Sequence, residues 1–276
     1  WTTIVFGMQG NVGKRSLLTD LKTPEGHQVL RHLLCWADLV TANGSERQLA
    51  ALGLTPAELA AVNPRLLLCR IDAFGGPRPG PRGEDPGYDD LIQASTGIMA
   101  RFGGSLETPE EHAHVGTIDV LCGYAGALAA AIGLLHRQRT GKTTVARASL
   151  AAAGQLIQAP FMYDFPGRPP HDEPSGPQAR GDGPLHRCYE TADGWFFLAA
   201  TSADWPEIAR VLRIAAPDDL AALFRTASRR HWIALLSDID VAAVAIGALA
   251  AWRDRAPDGE SSFQFCREDR HPSGRR

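Results

Sequence analysis

The stretch of sequence that organises this chain reads His114-Val-Gly-Thr-Ile-Asp-Val-Leu-Cys-Gly-Tyr-Ala-Gly126. It places one carboxylate, that of Asp119, before a long run of small and apolar residues that ends in a basic segment, His136 to Arg139, and then Gly141. This order predicts a helix, because cationic residues in the last turn and a glycine just beyond it are typical of a helix C-terminus. Asp119 is therefore expected at the positive end of the helix dipole, in a tightly packed and partly buried position.

Two interpretations of Asp119 follow from this position. Asp is a favoured N-cap residue, which stabilises a helix by about 1 kcal/mol. Asp119 can also be a nucleophile, since a helix N-terminus favours the ionised carboxylate that such chemistry needs, with amide donors nearby for an oxyanion. The spacing alone leaves both interpretations open.

The composition narrows the class of protein. The chain has 276 residues, of which 44% are hydrophobic and 21% charged, as in an ordinary soluble protein of one or two domains. The net charge of -3 argues against a nucleic-acid partner, which requires a concentrated basic face. No uninterrupted apolar run reaches membrane-spanning length, and the start of the chain lacks the basic segment of a signal peptide. We therefore expect no membrane partner and a cytoplasmic location.

The five cysteines indicate neither a disulfide framework nor a zinc site. They are odd in number, widely spaced and without a C-x-x-C pair. Cys35, Cys69 and Cys122 have apolar neighbours in sequence and are expected to be buried thiols.

The first half of the chain alternates between strand and helix patterns. Strands are predicted at 16–21, 39–42, 65–71 and 144–148, and helices begin at Thr23-Pro24, near Glu46 and at the capping box Thr55-Pro-Ala-Glu58. Such alternation predicts an α/β fold with a Rossmann-like parallel sheet and helical crossovers. Ligands in these folds bind beyond the carboxyl ends of the strands, where Asn43 and the 72–76 loop fall.

The composition changes after residue 163, which predicts a second domain. The segment that follows is rich in Pro and Gly, and beyond it a hairpin pattern and short helices, the last at 241–252, predict a smaller α+β domain. The predicted organisation is a large α/β domain at 1–163, a linker at 164–184, a small α+β domain at 185–253 and a polar tail at 254–276.

The residues resemble the class III CoA-transferase family, which includes the carnitine and formyl-CoA transferases. The order and spacing of several pieces over residues 7 to about 200 carry this resemblance. The matching pieces are 13–26, Leu52-Gly-Leu54, Asn63-Pro-Arg-Leu66, Phe74-Gly75, 82–92 with Pro-Gly-Tyr-Asp, the Asp119 segment, Arg139-Thr-Gly141 and Ala192-Asp-Gly-Trp195.

The resemblance implies a transferase that moves CoA between an acyl-CoA and a small carboxylic acid. Asp119 matches the catalytic aspartate of the family, and would form a mixed anhydride and then an aspartyl-CoA thioester. Coenzyme A would enter as part of the substrate, with no permanently bound cofactor and no metal. The family also implies an interlocked homodimer, a CoA site in the large domain and a tail that returns toward that domain.

The same resemblance implies where CoA binds. It assigns the adenine end of CoA to Thr19, Asp20, Leu21 and Lys22, a second contact to Asn43, Gly44 and Ser45, and a contact near the pantetheine to Pro86, Gly87 and Tyr88. Arg47 is a candidate phosphate partner, because relatives can carry an Arg where this chain has Ala51. Each of these contacts has a structural alternative: Lys22 can be a solvated side chain, and Tyr88 can be a half-buried aromatic residue. Asp89 can either orient the substrate or cap a helix.

Two alternatives remain at this point. One is an α-methylacyl-CoA racemase, whose chemistry needs two acid/base groups. Those relatives have a His where this chain has Tyr88. The phenol of a tyrosine has an ordinary pKa of about 10 and is therefore a poor base at neutral pH. His112 and His114 keep this alternative open. The other is a non-catalytic acyl-CoA-binding subunit, since the resemblance implies a chain shortened at both ends. Such a chain would expose apolar surface as a monomer.

Overall fold

The computed structural model describes residues 10–11, 13–75, 80–112, 116–168 and 175–248. They form two compact units, the first made of the described residues up to 168 with 175–177, the second of those from 178 onward. The change from one unit to the other falls inside the segment 164–184 that the sequence analysis takes as a linker.

The first unit is an α/β structure, as the alternating patterns predict. Its elements are α1 (Pro24–Trp36), β1 (Leu39–Asn43), α2 (Glu46–Ala51), α3 (Pro56–Val62), β2 (Leu67–Asp72), α4 (Asp89–Thr96), α5 (Ile98–Gly103), α6 (Thr117–Thr140), β3 (Val145–Ser149), α7 (Leu150–Ile157) and α8 (Ala159–Met162). The three strands form a parallel sheet in the order β1-β2-β3. Their carboxyl ends therefore meet at one edge, at Asn43, Asp72 and Ser149.

The helices α1, α2 and α3 begin where local capping signals place their starts. The Thr23 hydroxyl accepts a hydrogen bond from the Gly26 amide at 3.1 Å, and Ser45 and Thr55 each form a capping box. The strand predicted at 16–21 is wrong, since residues 14–20 have no regular structure. A strand needs a partner to pair its backbone, and within the described residues the first sheet has none beyond β1, β2 and β3.

The long helix α6 packs one face of small residues directly against β2. A Cβ atom on Gly126 would lie 3.0 Å from Cδ1 of Ile71, and one on Gly133 only 2.8 Å from Cδ2 of Leu67. The absence of side chains at these positions thus lets the helix approach the sheet closely. Contrary to the sequence-based expectation, α6 is long and apolar enough to cross a membrane by length and composition alone, a test that core helices of soluble proteins also pass.

The opposite face of α6 carries a row of exposed apolar side chains at helical spacing, which we call the apolar stripe. The stripe consists of Val120, Tyr124, Leu128, Ile132 and Leu135. Among the cysteines, Cys69 and Cys122 are buried as expected, whereas Cys35 near the end of α1 is exposed. Of its two apolar neighbours, Leu34 is buried but Trp36 is exposed, so apolar neighbours in sequence do not decide burial at this end of the helix.

The second unit is an α+β structure around an antiparallel sheet in the order β4-β5-β6-β7. Its elements are β4 (Gly181–Gly183), β5 (His186–Thr191), β6 (Gly194–Ala199), α9 (Trp205–Leu212), a 3-10 turn (Pro217–Asp219), α10 (Leu220–Phe224), α11 (Arg229–Ser237) and β7 (Ala242–Ala245). The helix predicted from 241 is wrong, because Ala242 to Ala245 pair with β6. Tertiary pairing here overrides the helix preference of alanine.

Candidate functional site

Asp119 lies in the first turn of α6 but does not cap it. The helix begins at Thr117 after Gly116, which has the left-handed φ of 57° and makes no side-chain cap. Asp119 is the third helical residue, so the N-cap interpretation is wrong. The residue as a whole is exposed, whereas its carboxyl group is partly withdrawn from solvent.

The cap of α6 comes instead from Asp89, thirty positions earlier in the chain. Oδ2 of Asp89 accepts hydrogen bonds from the amides of Ile118 at 2.8 Å and Asp119 at 3.0 Å. Oδ1 accepts from Nε2 of Gln93 at 2.5 Å. Only 6% of Asp89 is exposed, and a buried carboxylate is stable when several donors satisfy it. Asp89 is thus a helix cap, but of α6 rather than of its own helix α4.

Gln93 fixes the polar loop that leads toward α6. Its Oε1 accepts from the His112 amide at 2.9 Å, and its Nε2 donates to the His112 carbonyl at 3.3 Å. The imidazole of His112 packs against Phe102, with ring centroids 4.1 Å apart. His114 lies outside the described residues.

The environment of Asp119 raises its pKa above the ordinary value. Partial withdrawal from solvent is the largest cause, followed by the negative charges of Asp89 and Asp90. A helix N-terminus is expected to favour the ionised carboxylate, but Asp89 already holds the amides of Ile118 and Asp119. The carboxylate of Asp119 has no hydrogen bond or ion pair within the part of the chain that the structure describes, which leaves its lone pairs available.

Asp119 opens on a cavity of about 640 Å³ at the carboxyl edge of the sheet. This cavity is also lined by Asn43, Gly44 and Ser45 and by Pro86, Gly87 and Tyr88, two of the three segments assigned to CoA. The structure therefore brings together three regions that are distant in sequence. The other lining residues are Arg47, Gln48, Ile71, Asp72, Ala73, Gly83, Glu84, Asp85, Cys122, Gly123 and Leu150.

Two arginine side chains hold the loop 43–45 and Glu46, the residue that follows it. Arg70, which is 3% exposed, donates from Nη2 to the Gly44 carbonyl at 3.0 Å and from Nη1 to Glu46. Arg147 donates to the same Oε1 of Glu46 at 3.0 Å. Burial opposes ionisation of Glu46, but these arginines outweigh it and lower its pKa. The loop is thus fixed before any ligand binds, while the side chain of Arg47 lines the cavity.

The loop 86–88 lies against the end of β2. A Cβ atom on Gly87 would lie 2.6 Å from Cβ of Ala73, so glycine is required for this contact. Tyr88 is 71% exposed rather than half-buried, and its residue precedes α4 without a side-chain cap. Its ring is available to a ligand in the cavity.

Residues 19–22, which are Thr19, Asp20, Leu21 and Lys22, lie outside the lining of this cavity. They form the turn before α1, in which the Asp20 carbonyl accepts from the Thr23 amide at 3.2 Å and Oδ1 of Asp20 from the Lys22 amide at 2.9 Å. Their predicted contact with the adenine end of CoA stays a prediction.

Sequence reasoning placed Asp72 at the ligand-binding edge only as part of the 72–76 loop, and it missed Cys122, which lines the cavity, and Arg70, which holds the Gly44 carbonyl. Arg70 and Asp72 are charged residues within a buried strand pattern, which is the signal that could have found them. Burial, and then the charges of Asp119 and Asp72, raise the pKa of Cys122 to about 11, so its thiol stays protonated at neutral pH. No group of three or more possible metal ligands occurs within the described ranges.

Comparison with known proteins matches the chain to CoA-transferases and to an α-methylacyl-CoA racemase. A family model described as CoA-transferase family III matches residues 3–256. The chain is 38% identical over 286 residues to the CoA-transferase/lyase DddD of Marinomonas sp., covering 98% of this chain and 34% of that protein. It is 32% identical to the succinate–glutarate CoA-transferase of Agrobacterium fabrum, covering 76% of this chain and 52% of that protein. It is also 32% identical to human α-methylacyl-CoA racemase, covering 67% and 48%.

Solved structures share the fold. The crystal structure of Rv3272 from Mycobacterium tuberculosis matches with a TM-score of 0.72 and 23% identity, covering 88% of this chain and 69% of that one. A CAIB/BAIF family protein from Brucella suis matches with a TM-score of 0.68 and 26% identity, covering 88% and 69%. The chain spans about a third of the length of the Marinomonas protein and about half of the other two curated relatives.

Proposed function

Because the chain belongs to CoA-transferase family III, we propose that it moves CoA between an acyl-CoA and a carboxylic acid, with Asp119 as the nucleophile. One observation carries this proposal. The carboxylate of Asp119 is free of hydrogen bonds and ion pairs to the described residues, and it faces the cavity that it shares with loops 43–45 and 86–88.

The chemistry proceeds by exchange of one carboxyl derivative for another. An oxygen of Asp119 attacks the thioester carbonyl carbon, the C–S bond breaks, and a mixed anhydride and a CoA thiolate result. The thiolate then attacks the Asp119 carbonyl carbon, which releases the donor acid as a carboxylate and leaves an aspartyl-CoA thioester. The acceptor carboxylate attacks this thioester, and the returning thiolate then attacks the acyl carbonyl of the second anhydride, giving the new acyl-CoA and regenerating Asp119.

CoA would bind along the carboxyl edge of the sheet. The loops 43–45 and 86–88 flank the cavity, and Arg47 on its wall offers a guanidinium to a phosphate group of CoA. Residues 19–22 are proposed for the adenine end, outside the cavity itself.

We further propose that a second copy of the chain covers the apolar stripe on α6. Five exposed apolar side chains along one helix face form a continuous patch, and such patches mark association surfaces. The homodimer expected from the family resemblance would bury this face.

The transferase is favoured over the racemase by the residues of the cavity. A racemase needs a second acid/base group opposite the first, and the described lining residues include Tyr88 but no histidine. The His112 ring is engaged with Phe102 instead.

The decisive experiment is chemical trapping of the enzyme intermediate. The protein is incubated in parallel with succinyl-CoA and with butyryl-CoA, treated with hydroxylamine or borohydride, and digested for mass spectrometry. We expect a hydroxamate or a reduced alcohol at Asp119, absent from Asp119→Asn and present in Asp90→Asn, whose exposed carboxylate does not line the cavity.

Two other results would overturn the proposal. Deuterium uptake at the α-carbon of an acyl-CoA, without a trapped adduct or acyl transfer, would indicate a racemase. Binding of CoA that is unchanged by Asp119→Ala, with no turnover by the unmodified protein, would indicate a binding subunit.

A further inference from the structure

Three glycines lie inside α6, and packing against the sheet explains two of them. A Cβ atom on Gly126 would lie 3.0 Å from Cδ1 of Ile71, and one on Gly133 would lie 2.8 Å from Cδ2 of Leu67. A Cβ atom on Gly123 would instead meet nothing within 4 Å among the described residues, its chain neighbours and the backbone of its own helix set aside. Since glycine inside a helix is less favourable than alanine, packing within the described part of the chain does not account for Gly123.

Gly123 borders the cavity one helical turn after Asp119. Residues four apart in a helix are neighbours on its surface, with Cβ positions about 5–6 Å apart. Cys122 lines the same cavity, whereas Val120 and Tyr124 of the apolar stripe do not. The missing side chain of Gly123 therefore leaves free space beside the carboxylate of Asp119, within the ligand cavity.

This space lies toward the β3 end of the cavity. Gly126, one turn further along α6, approaches Ile71 of β2 at 3.0 Å and Ala148 of β3 at 3.8 Å. The loop 43–45 follows β1, which is on the other side of β2. Neighbouring strands are about 4.8 Å apart, so about 10 Å separate the ends of β1 and β3 along this edge. Gly123 is therefore on the side of the cavity away from the loop 43–45.

The cavity wall around Gly123 is apolar. Ile71, Cys122 and Leu150 all line the cavity, and they pack in one apolar cluster. This wall provides no charged partner for the phosphate groups of CoA, which are proposed to meet Arg47. An apolar chain is the kind of group that such a wall binds.

We propose that the acyl chain of the substrate lies over Gly123, and that the absence of a side chain there sets the largest acyl chain that Asp119 can attack. This inference rests on the proposed function and identifies a residue that determines its acyl specificity. Asp119 attacks the thioester carbonyl carbon, from which the CoA chain and the acyl chain extend in different directions. With CoA on the β1 side of the cavity, the acyl chain extends along the apolar wall at Gly123.

The test compares the first half of the reaction for acyl chains of different length. The unmodified protein, Gly123→Ala and Gly123→Val are each mixed with acetyl-CoA, butyryl-CoA or hexanoyl-CoA. The rate at which the hydroxylamine-trapped adduct appears at Asp119 is followed by mass spectrometry. We expect Gly123→Val to lower the rate with hexanoyl-CoA, relative to acetyl-CoA, by about tenfold or more, as is typical when a side chain fills space that a ligand occupies. Gly123→Ala should have a smaller effect in the same direction.

Further measurements separate this role from a structural one. The affinity for free CoA, measured by calorimetry, should be unchanged in both variants. The urea midpoint of Gly123→Ala should rise, because alanine favours the helix and its Cβ atom has room. Ala131→Val is the matched control, since it enlarges an exposed residue of the same helix that does not line the cavity. It should keep the chain-length preference of the unmodified protein.

Several results would overturn the inference and leave the transferase intact. Equal slowing with all three acyl chains would show that the new side chain disturbs Asp119 itself, and an unchanged ratio of rates would show that no acyl chain lies over Gly123. Loss of affinity for free CoA would place the pantetheine there instead. Loss of self-association in Gly123→Val, measured by sedimentation, would show that the glycine makes room for a second copy of the chain.

Two outcomes with the unmodified protein complete the test. An adduct from succinyl-CoA but from none of the three apolar acyl chains would refute the inference while supporting the transferase. No adduct from any of the four thioesters would refute the proposed function and this inference with it.

Discussion

Replacing Asp89 by asparagine tests the cap that positions Asp119. Asp89 accepts the amides of Ile118 and Asp119 on Oδ2 and the Gln93 side chain on Oδ1. Asparagine has the same size but one oxygen, so if it keeps the two helix amides its Nδ2 group faces the Nε2 group of Gln93. Gln93 cannot reverse its amide without losing both bonds to the backbone of His112.

The expected loss of stability follows from these contacts. Removing a buried negative charge from a helix N-terminus costs up to about 2 kcal/mol, and a hydrogen bond to a charged group contributes about 1.5–3 kcal/mol. Because the effects overlap, we expect Asp89→Asn to lower the free energy of unfolding by about 3 kcal/mol, measured by urea denaturation and circular dichroism. Asp90→Asn removes the same charge from an exposed neighbour and should change it by less than about 0.5 kcal/mol.

The same substitution should act on the nucleophile in the opposite sense. The charge of Asp89 raises the pKa of Asp119, so Asp89→Asn should lower that pKa. Since the ionised carboxylate attacks, the acid limb of kcat/KM should move to lower pH, and less so in Asp90→Asn. Equal stability of the two variants, or an acid limb that moves to higher pH, would refute the described arrangement.

Three other substitutions test separate contacts. Gly116→Ala should cost about 1–2 kcal/mol at its left-handed φ, and should slow turnover because the new Cβ would lie 3.3 Å from Oδ2 of Asp119; unchanged urea midpoint and kcat would contradict this. Arg70→Met should raise KM for CoA with little change in kcat, more than Arg147→Met, since only Arg70 holds the Gly44 carbonyl; equal KM values in all three proteins would exclude this role. Asp119→Asn should be more stable than the parent at pH 7, because the raised pKa means that folding disfavours the ionised group. Urea denaturation should show that this difference vanishes below about pH 3.9, where Asp is protonated in both states, and a less stable variant at pH 7 would contradict the sign.

Local signals in the sequence predict the elements of the first unit well. Thr23, Ser45 and Thr55 cap their helices with their own neighbours, so a few consecutive residues contain the information. The loop glycine Gly87 and the small residues of α6 also mark close approaches that the structure contains.

The failures share one physical cause, which is dependence on distant residues. Asp119 has the residue type of an N-cap, but Asp89 of another helix supplies the cap. Residues 16–21 alternate like a strand but pair with no strand among the described residues. The alanines of β7, which favour a helix on their own, pair with β6. Exposure of Cys35 likewise depends on which face of α1 meets the sheet. Pairing and capping across long sequence separations cannot be read from periodicity.

The division of tasks between Asp89 and Asp119 has a chemical consequence. If Asp119 itself accepted the two backbone amides that Asp89 holds, its carboxylate would be a weaker base and a weaker nucleophile. By holding the amides of residues 118 and 119, Asp89 keeps Asp119 unbonded and its pKa raised. Asp89→Ala removes this competitor, so the side chain of Asp119 can turn back and cap its own helix.

Asp89→Ala should therefore lower the rate of transfer even where Asp119 is fully ionised. The measured quantity is the plateau, which is the constant value that kcat reaches at alkaline pH. It is measured without urea, after circular dichroism has shown that the variant is folded. Asp89→Asn retains one oxygen for the two amides and should keep more of the plateau rate than Asp89→Ala. An alanine variant with the full plateau rate would show that the amides of Ile118 and Asp119 do not compete for the nucleophile, since the loss of their acceptor would then leave its reactivity unchanged.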